Sequence, residues 1–319
     1  MKAITRIAYG GPDVIAIKDI PVPVPKRNEV LIKVHATTVS RTDCGALWGK
    51  PYLIRAFIGL RKPSLQVPGT DFAGEVIGLG SDVTNFKMGD RVWGFNDQGL
   101  ASHAEFMTFP ADDAIAIIPE NIAYQHAVAS AEGAHYAYNF INKIKVEAGH
   151  DVLVNGGTGA IGSAAIQLLK ARGVRVTATA ATPYLEKVKA LGADVVIDYL
   201  KEDFTQQKQQ FNFILDAVGK SSFGQCKSIL KPGGVYLSSE LGPGAENLYL
   251  PFTTRFLNKK VIFPIPSNCK RSVLFMNELL AQGKFNPLID KTYRPEQIAE
   301  AFQYVVSGEK IGNVILNWT

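Results

Sequence analysis

Cysteine is scarce. Cys44, Cys226 and Cys269 are the only three in 319 residues, and they are far apart, with no Cys-x-x-Cys pair. An odd, scattered set argues against a disulfide framework and against a cysteine-rich zinc lobe, and it suits a reducing compartment. The five histidines (His35, His103, His126, His135 and His150) show no paired metal-ligand spacing. No apolar run reaches the ~20 residues that a membrane-spanning helix needs. Charge blocks are also missing. Lys and Arg number 34 against 29 Asp and Glu, a net +5, with nothing longer than Arg61-Lys62 or Lys259-Lys260. Such scatter describes a solvated surface and excludes a nucleic-acid or membrane patch. The opening residues 1–13 carry no apolar signal-peptide core, so the cytoplasm is the expected location. There is no internal repeat and no low-complexity linker.

What is present has two textures. The first ~120 residues read as short β runs punctuated by Gly, Pro and Asn turns, among them 30–39, 72–80, 90–95 and 101–110. Many short strands with such turns predict a barrel-like or partly open β domain. Near residue 120 the chain becomes Ala-rich, with one or two helices over 121–146. Strand and helix patterns then alternate: strands at 151–155, 174–180, 194–199, 211–219, 235–241 and 259–266, and helices at 160–173, 183–192 and 223–234. The β-α-β-α order predicts a doubly wound parallel sheet. Two more helices, at 272–284 and 295–309, and a strand at 313–319 follow.

The segment 151–173 reads DVLVN-GGTGAIG-SAAIQLLKARG, that is, strand, glycine turn, helix. Gly157-x-Gly159-x-x-Gly162 and Gly156-x-x-Gly159-x-x-Gly162 both fit the dinucleotide fingerprint. The first glycines allow the tight turn, Gly159 lets backbone N–H groups approach a pyrophosphate, and Gly162 lets helix and strand pack closely. Thr158, Ala160 and Ile161 complete the loop. An NAD-selective site often carries an acid ~20 residues beyond the glycines, on the ribose hydroxyls. Here the second strand ends Thr179-Ala180-Ala181-Thr182-Pro183, with no acid before Glu186. A 2′-phosphate would not be repelled, and Thr182, Tyr184, Lys187 and Tyr199 are candidates to meet it, so NADPH is expected ahead of NADH.

At 68–94, PGTDFAGEVIGLGSDVTNFKMGDRVWG, the sequence resembles the medium-chain dehydrogenase/reductase superfamily; NEVLIKVHATTVSRTD, GGTGAIGSAAIQLLK, LGADVVIDY, ILDAVG and LKPGG continue the match over essentially the whole chain. The resemblance implies an α/β architecture: a GroES-like β-barrel catalytic domain over 1–122 and 267–319, and a Rossmann NAD(P)-binding domain over 123–266. Within the superfamily the chain looks most like zinc-free quinone oxidoreductase-like proteins. Zinc-dependent members place a Cys in the segment matching VSRTD and a His-Glu pair in that matching GTDFAG. Those positions read Ser40, Thr70 and Asp71 here, so no zinc is expected. Without a metal to stabilise an alkoxide, the easier chemistry is hydride delivery to a conjugated acceptor. The expected activity is NADPH-dependent reduction of a quinone or an α,β-unsaturated carbonyl. The alternatives are an NAD(P)-dependent alcohol or aldehyde oxidoreductase and a non-enzymatic NADPH-binding protein. The family also suggests a homodimer.

The resemblance puts the substrate cleft between the two domains and makes Ser40 and Thr42 candidate donors to a substrate oxygen; Asp43 matches a common, structural family Asp. The segment 130–140, SAEGAHYAYNF, departs from the familiar quinone reductases. If helical, Glu132, His135, Tyr136 and Asn139 share a face at i, i+3, i+4 and i+7 and could supply a proton. On the cofactor side, Ala217, Val218 and Gly219 end a sheet strand, with Ser239, Phe263 and Ile265 at the ends of the next two. Lys310 and Asn313 fall where related reductases contact the cofactor.

Overall fold

The computed structural model describes all 319 residues except the side chain of Leu53. The chain divides into two compact units, Met1–Glu132 with Asn268–Thr319, and Gly133–Ser267.

The second unit is built on six parallel strands. In chain order they are Asp151–Asn155, Arg175–Ala180, Val195–Asp198, Phe211–Asp216, Leu230–Ser238 and Lys260–Ile262. Numbered one to six, they lie in the order 3-2-1-4-5-6, the doubly wound arrangement whose direction reverses between strands one and four. Their apolar runs are continuous because both faces are covered. Val152, Leu153, Val154, Ile214 and Leu215 are all fully buried. Each such side chain contributes roughly 1.5–3 kcal/mol of burial free energy. The helix Ala160–Lys170 buries Ala164, Ala165, Ile166, Leu168 and Leu169. The segment expected to be helix and turn over 223–234 is helical only over Phe223–Cys226, and Leu230 already pairs with Phe211.

The first unit is a mixed sheet of seven strands in the order Ile289–Tyr293, Asn313–Asn317, Glu29–Thr38, Asp71–Leu79, Arg91–Phe95 and Ile115–Ile117, with Phe106–Pro110 also pairing Glu29–Thr38. A separate hairpin joins Lys2–Arg6 to Ile15–Asp19. The helices Arg41–Trp48 and Ile298–Ser307 close a core of Ile4, Val39, Cys44, Leu47, Phe302 and Val314. The expected boundary at 122/123 moves. The helix Tyr124–Ala129 belongs to the first unit, because Ala127, Val128 and Ala129 are buried there and the Tyr124 ring stacks on His35 at 4.4 Å. A second helix, Glu132–Asn142, follows after a break at Ser130.

Candidate active site

The glycine segment forms the turn its spacing predicts. Gly156 has φ 89°, a left-handed conformation that a side chain strains. At Gly162 an added Cβ would stand 2.1 Å from the Gly156 carbonyl oxygen, so the helix meets the turn at backbone contact. Gly159 differs. It caps the helix with φ −69°, and a Cβ there would meet only the Gly156 oxygen, at 3.5 Å, which is ordinary contact. Nothing within the protein requires glycine at 159. The first helical bond runs from Ser163 N to Gly159 O, so the N–H groups of Ala160, Ile161 and Gly162 open the helix without an intrahelical acceptor. Thr158 is half-buried beside them. A dinucleotide pyrophosphate fits this cradle: free donors, a positive helix end and a position without a Cβ.

Asn155, which the sequence reading did not single out, and Asp216, at the strand end it placed on the cofactor side, hold the cradle. The Asn155 amide donates to Asp216 Oδ1 at 3.1 Å, across the two strands where the sheet reverses. Asn155 Oδ1 accepts from Thr179 Oγ1 at 2.7 Å, and Thr179 Oγ1 accepts from Gly156 N at 2.9 Å. Thr179 therefore braces the turn, and its hydroxyl is committed. Asp216 also accepts from Val218 N, Gly219 N, Ser221 N, Ser221 Oγ and Tyr236 OH. These bonds fix the loop that carries Ala217, Val218 and Gly219, and the Val218 side chain sits over Gly156. Ser239 N donates to Asp216 O, while Phe263 is half-buried and Ile265 exposed after the last strand.

The structure adds an acid to the second strand end. Parallel pairing sets Asp198 opposite Ala180, and Thr182 Oγ1 donates to Asp198 Oδ2 at 2.6 Å. An acid thus reaches this corner from the third strand, where counting along the second could not find it. The Thr182 bond holds the Asp198 carboxyl below its usual range, and Lys201 lies 3.5 Å from it. Lys187 and Tyr199 are exposed nearby in the fold, on the next helix and just after Asp198, and Tyr184 is half-buried.

In the first unit, Ser40 caps the helix Arg41–Trp48 through a capping box. Its Oγ accepts from Asp43 N at 3.0 Å and donates to Asp43 Oδ2 at 2.8 Å, while its N–H donates to the same oxygen at 2.9 Å. Ser40 was expected to serve a substrate oxygen, but its proton is engaged locally. Thr42, two residues on, donates its hydroxyl to Glu132 Oε1, and Ser40 also lies near enough to lower that carboxyl's pKa. The Glu132 carboxyl is buried, and its Oε2 has no hydrogen-bond partner. Burial pushes it up to about 7, helped by the nearby Asp43 charge, while the Thr42 hydroxyl pulls the other way. Lys310 feels the Glu132 charge, is depressed by burial, and donates to Gly312 O at 2.7 Å. Asn313 spends its amide on Leu288 O at 3.0 Å. At the positions where zinc ligands were sought, Asp71 is fully buried. It accepts from Thr38 N, Thr38 Oγ1 and Thr37 Oγ1, and burial pushes it up to about 8. Ser40 and Asp71 are thus both occupied by their own neighbours.

On the helix Glu132–Asn142, His135 is buried and burial pushes its imidazole down to about 4, so it is neutral near pH 7. Tyr136 is half-buried, its ring edge-on to His135 at 5.9 Å. Asn139 braces the helix: its amide donates to His135 O at 2.9 Å and its Oδ1 accepts from Ser267 N at 3.1 Å. Gly133 packs at the start of the glycine-loop helix, where an added Cβ would stand 2.8 Å from Ala160.

Residues 26–120 match the family model described as the alcohol dehydrogenase GroES-like domain, and residues 191–316 the one described as zinc-binding dehydrogenase. A 2-methylene-furan-3-one reductase of Solanum lycopersicum is 30% identical over 330 residues, spanning 99% of this chain and 79% of that protein. The chain belongs to the medium-chain dehydrogenase/reductase superfamily. The quinone oxidoreductase of Homo sapiens is 28% identical, with 99% of this chain and 97% of that protein covered. The solved quinone oxidoreductase of Coxiella burnetii aligns over 100% of this chain and 99% of its own, with a TM-score of 0.88 and 27% identity. The two units therefore carry the superfamily's GroES-like domain and Rossmann-type sheet. As a member of it, the protein is an oxidoreductase, and the family implies a nicotinamide cofactor and a small-molecule substrate. Among the described residues no helix is long and apolar enough to cross a membrane.

Proposed function

We propose that the protein is a zinc-independent, NADPH-dependent reductase that delivers hydride to a quinone or an α,β-unsaturated carbonyl. The observation that carries this reading is the half-buried Thr42–Glu132 pair: a hydroxyl bonded to a carboxyl that desolvation holds near 7. As hydride reaches a conjugated acceptor, negative charge collects on its oxygen, and a hydroxyl donor stabilises it. With Glu132 protonated, its carboxyl donates to Thr42 and frees the Thr42 proton for the substrate oxygen; Thr42 gives that proton and Glu132 replaces it. A carboxyl at about 7 is poised for such transfer at neutral pH. His135, neutral at that pH, is not a charged acid, and Tyr136 stays a candidate second donor.

The loop Gly156–Gly162 would hold the cofactor pyrophosphate, with Val218 and Gly219 beside it. Lys187, Tyr184 and Tyr199 would meet the 2′-phosphate. Bound NADPH supplies the hydride. Thr42 and Glu132 perform the proton chemistry without a metal. The committed bonds of Ser40 and Asp71 leave a poor donor set for zinc, which wants about three converging N, S or O ligands.

The test is NADPH consumption with chelator present, against a 1,4-quinone, a 2-alkenal, an enone and a simple aldehyde, each repeated with NADH. Chelator-insensitive turnover of conjugated acceptors, faster with NADPH, is the expected result. Turnover of the plain aldehyde alone, or loss of activity with chelator, would overturn the proposal; binding without turnover would point to a non-enzymatic role.

A further inference from the structure

The strand Lys2–Arg6 presents Ile4 and Arg6 on one side, two residues apart. Ile4 is fully buried with Val39, Cys44 and Leu47. The next position on that inner face is a guanidinium, and it is only 5% exposed. Its Nε and Nη1 have no hydrogen-bond partner, and among the described residues it makes no ion pair. Asp43 acts on it only as a charge at a distance. An arginine stays protonated in such a place, and a buried cation without a partner is among the costliest arrangements a fold can keep.

Arg6 is not alone. Backbone bonds draw three segments together: Ile4 N to His103 O at 2.9 Å, Arg6 N to Gln66 O at 2.8 Å, and His103 N to Pro68 O at 3.0 Å. His103 is fully buried, with Nε2 on Thr38 O at 2.9 Å and Nδ1 unpartnered. Thr70, in the same 66–70 segment, is 5% exposed with its Oγ1 unpartnered. Asp43, whose charge reaches both Arg6 and His103, adjoins Thr42 in the chain. His103 thus feels the charge of Arg6, both feel that of Asp43, next to Thr42, and the segment carrying Thr70 is bonded to the backbone of both.

We propose that Arg6 is a specificity residue that recognises a carboxylate on the acceptor, with His103 and Thr70 as accessory polar contacts. The inference rests on the reductase reading and narrows it: the preferred substrate is a conjugated carbonyl that bears an acid group. Guanidinium and carboxylate match in charge and in hydrogen-bonding shape, and a bound carboxylate would answer the unpaired charge.

The test compares two acceptors that differ only by methyl against carboxylate, 3-penten-2-one and 4-oxo-2-pentenoate, in the wild type, Arg6→Met and Arg6→Lys. Comparing each variant with the wild type cancels the acceptors' intrinsic reactivities. Arg6→Met should lose at least ten-fold in kcat/KM for the carboxylate, carried by KM, while the neutral ketone changes by less than three-fold. Arg6→Lys should recover part of the loss. A second readout needs no turnover. The unreactive 4-oxopentanoate should raise the melting temperature of the wild type and not of Arg6→Met, and 2-pentanone should shift neither. If Arg6→Met fails to fold, the wild-type titration decides, since equal responses to 4-oxopentanoate and 2-pentanone overturn the proposal. An equal response to chloride would also overturn the carboxylate assignment. If no acceptor turns over but 4-oxopentanoate binds in an Arg6-dependent way, the reductase reading fails and the anion site stands. If both acceptors turn over with the same response to Arg6→Met, the reverse holds.

Discussion

The two units surround their candidate sites with different kinds of polar group. In Gly133–Ser267 the glycine cradle is held by neutral donors around one carboxylate: Asp216 accepts six hydrogen bonds, and Asn155 and Thr179 link it to the turn. No buried side-chain polar atom of Asn155, Thr179 or Asp216 lacks a partner. In Met1–Glu132 and Asn268–Thr319 several buried titratable groups are displaced instead. Asp71 is pushed to about 8 and Glu132 to about 7, while Arg6 and Lys310 are depressed. A saturated network makes a rigid, preorganised receptor. A set of displaced, partly unpaired groups stores the capacity to move protons and to take up charge. On the proposed function, binding geometry and reactive chemistry are separated along the chain.

The sharpest way to break this contrast is at two glycines of one loop. Gly162→Ala places a Cβ 2.1 Å from a backbone oxygen and should destabilise the protein by about 3 kcal/mol, read by denaturant unfolding. Gly159→Ala meets only ordinary contact and should leave stability within about 0.5 kcal/mol while weakening NADPH binding in a direct titration. If both lose stability alike, the outward-facing role of Gly159 is wrong.

Next in size is the proton pair. Glu132→Gln and Thr42→Val should each lower kcat by roughly ten-fold or more, the scale of general acid catalysis. In the wild type kcat should decline as pH rises through about 7, and that limb should vanish in Glu132→Gln. Stability carries the same signature. The folded carboxyl at about 7 lies above the ordinary 4.5, so its contribution is full below 4.5 and is lost as pH rises through about 7. Unfolding of Glu132→Gln should be flatter across that window, and an unchanged slope would show that Glu132 titrates normally.

A smaller effect is expected at the strand-end corner. Lys187→Ala should weaken NADPH binding about five-fold, in keeping with one exposed charge contact of ~1 kcal/mol, with NADH unaffected. Asp198→Asn removes a negative charge and should shift preference further toward NADPH. Matched losses for both cofactors in Lys187→Ala would remove this corner from phosphate recognition. The least effect on chemistry belongs to Ser40→Ala. It should cost about 1 kcal/mol of stability through the lost cap, with kcat changed less than three-fold; a large kcat loss would restore Ser40 as a substrate donor.

Legibility followed the range of the interaction. The glycine turn, the flanking strand and helix, and the β-α alternation are set by residues within a few positions of one another, and all appear as expected. The short Phe223–Cys226 helix and the unit assignment of Tyr124–Ala129 were missed because sheet pairing at Leu230 and burial against distant strands decided them. Within the site, Thr42 and Glu132 were named separately, 90 residues apart. Their hydrogen bond was not visible in the pattern. Thr179, Thr182 and Asn313 were named for a cofactor, yet their hydrogen-bonding groups are engaged within the protein.

The sequence by itself determined the superfamily, the strand-helix alternation around the glycine turn and the glycine cradle, because these rest on local periodicity, backbone freedom and short spacings. Only the tertiary structure decided that Asp198 reaches the corner of the second strand, that Ser40 is a cap, that Glu132 is buried against Thr42 and that Arg6 lies inside without a partner. Each depends on desolvation and on contacts between residues far apart in the chain. The free energy of a charge is set by what surrounds it, and the surroundings exist only once the chain has folded.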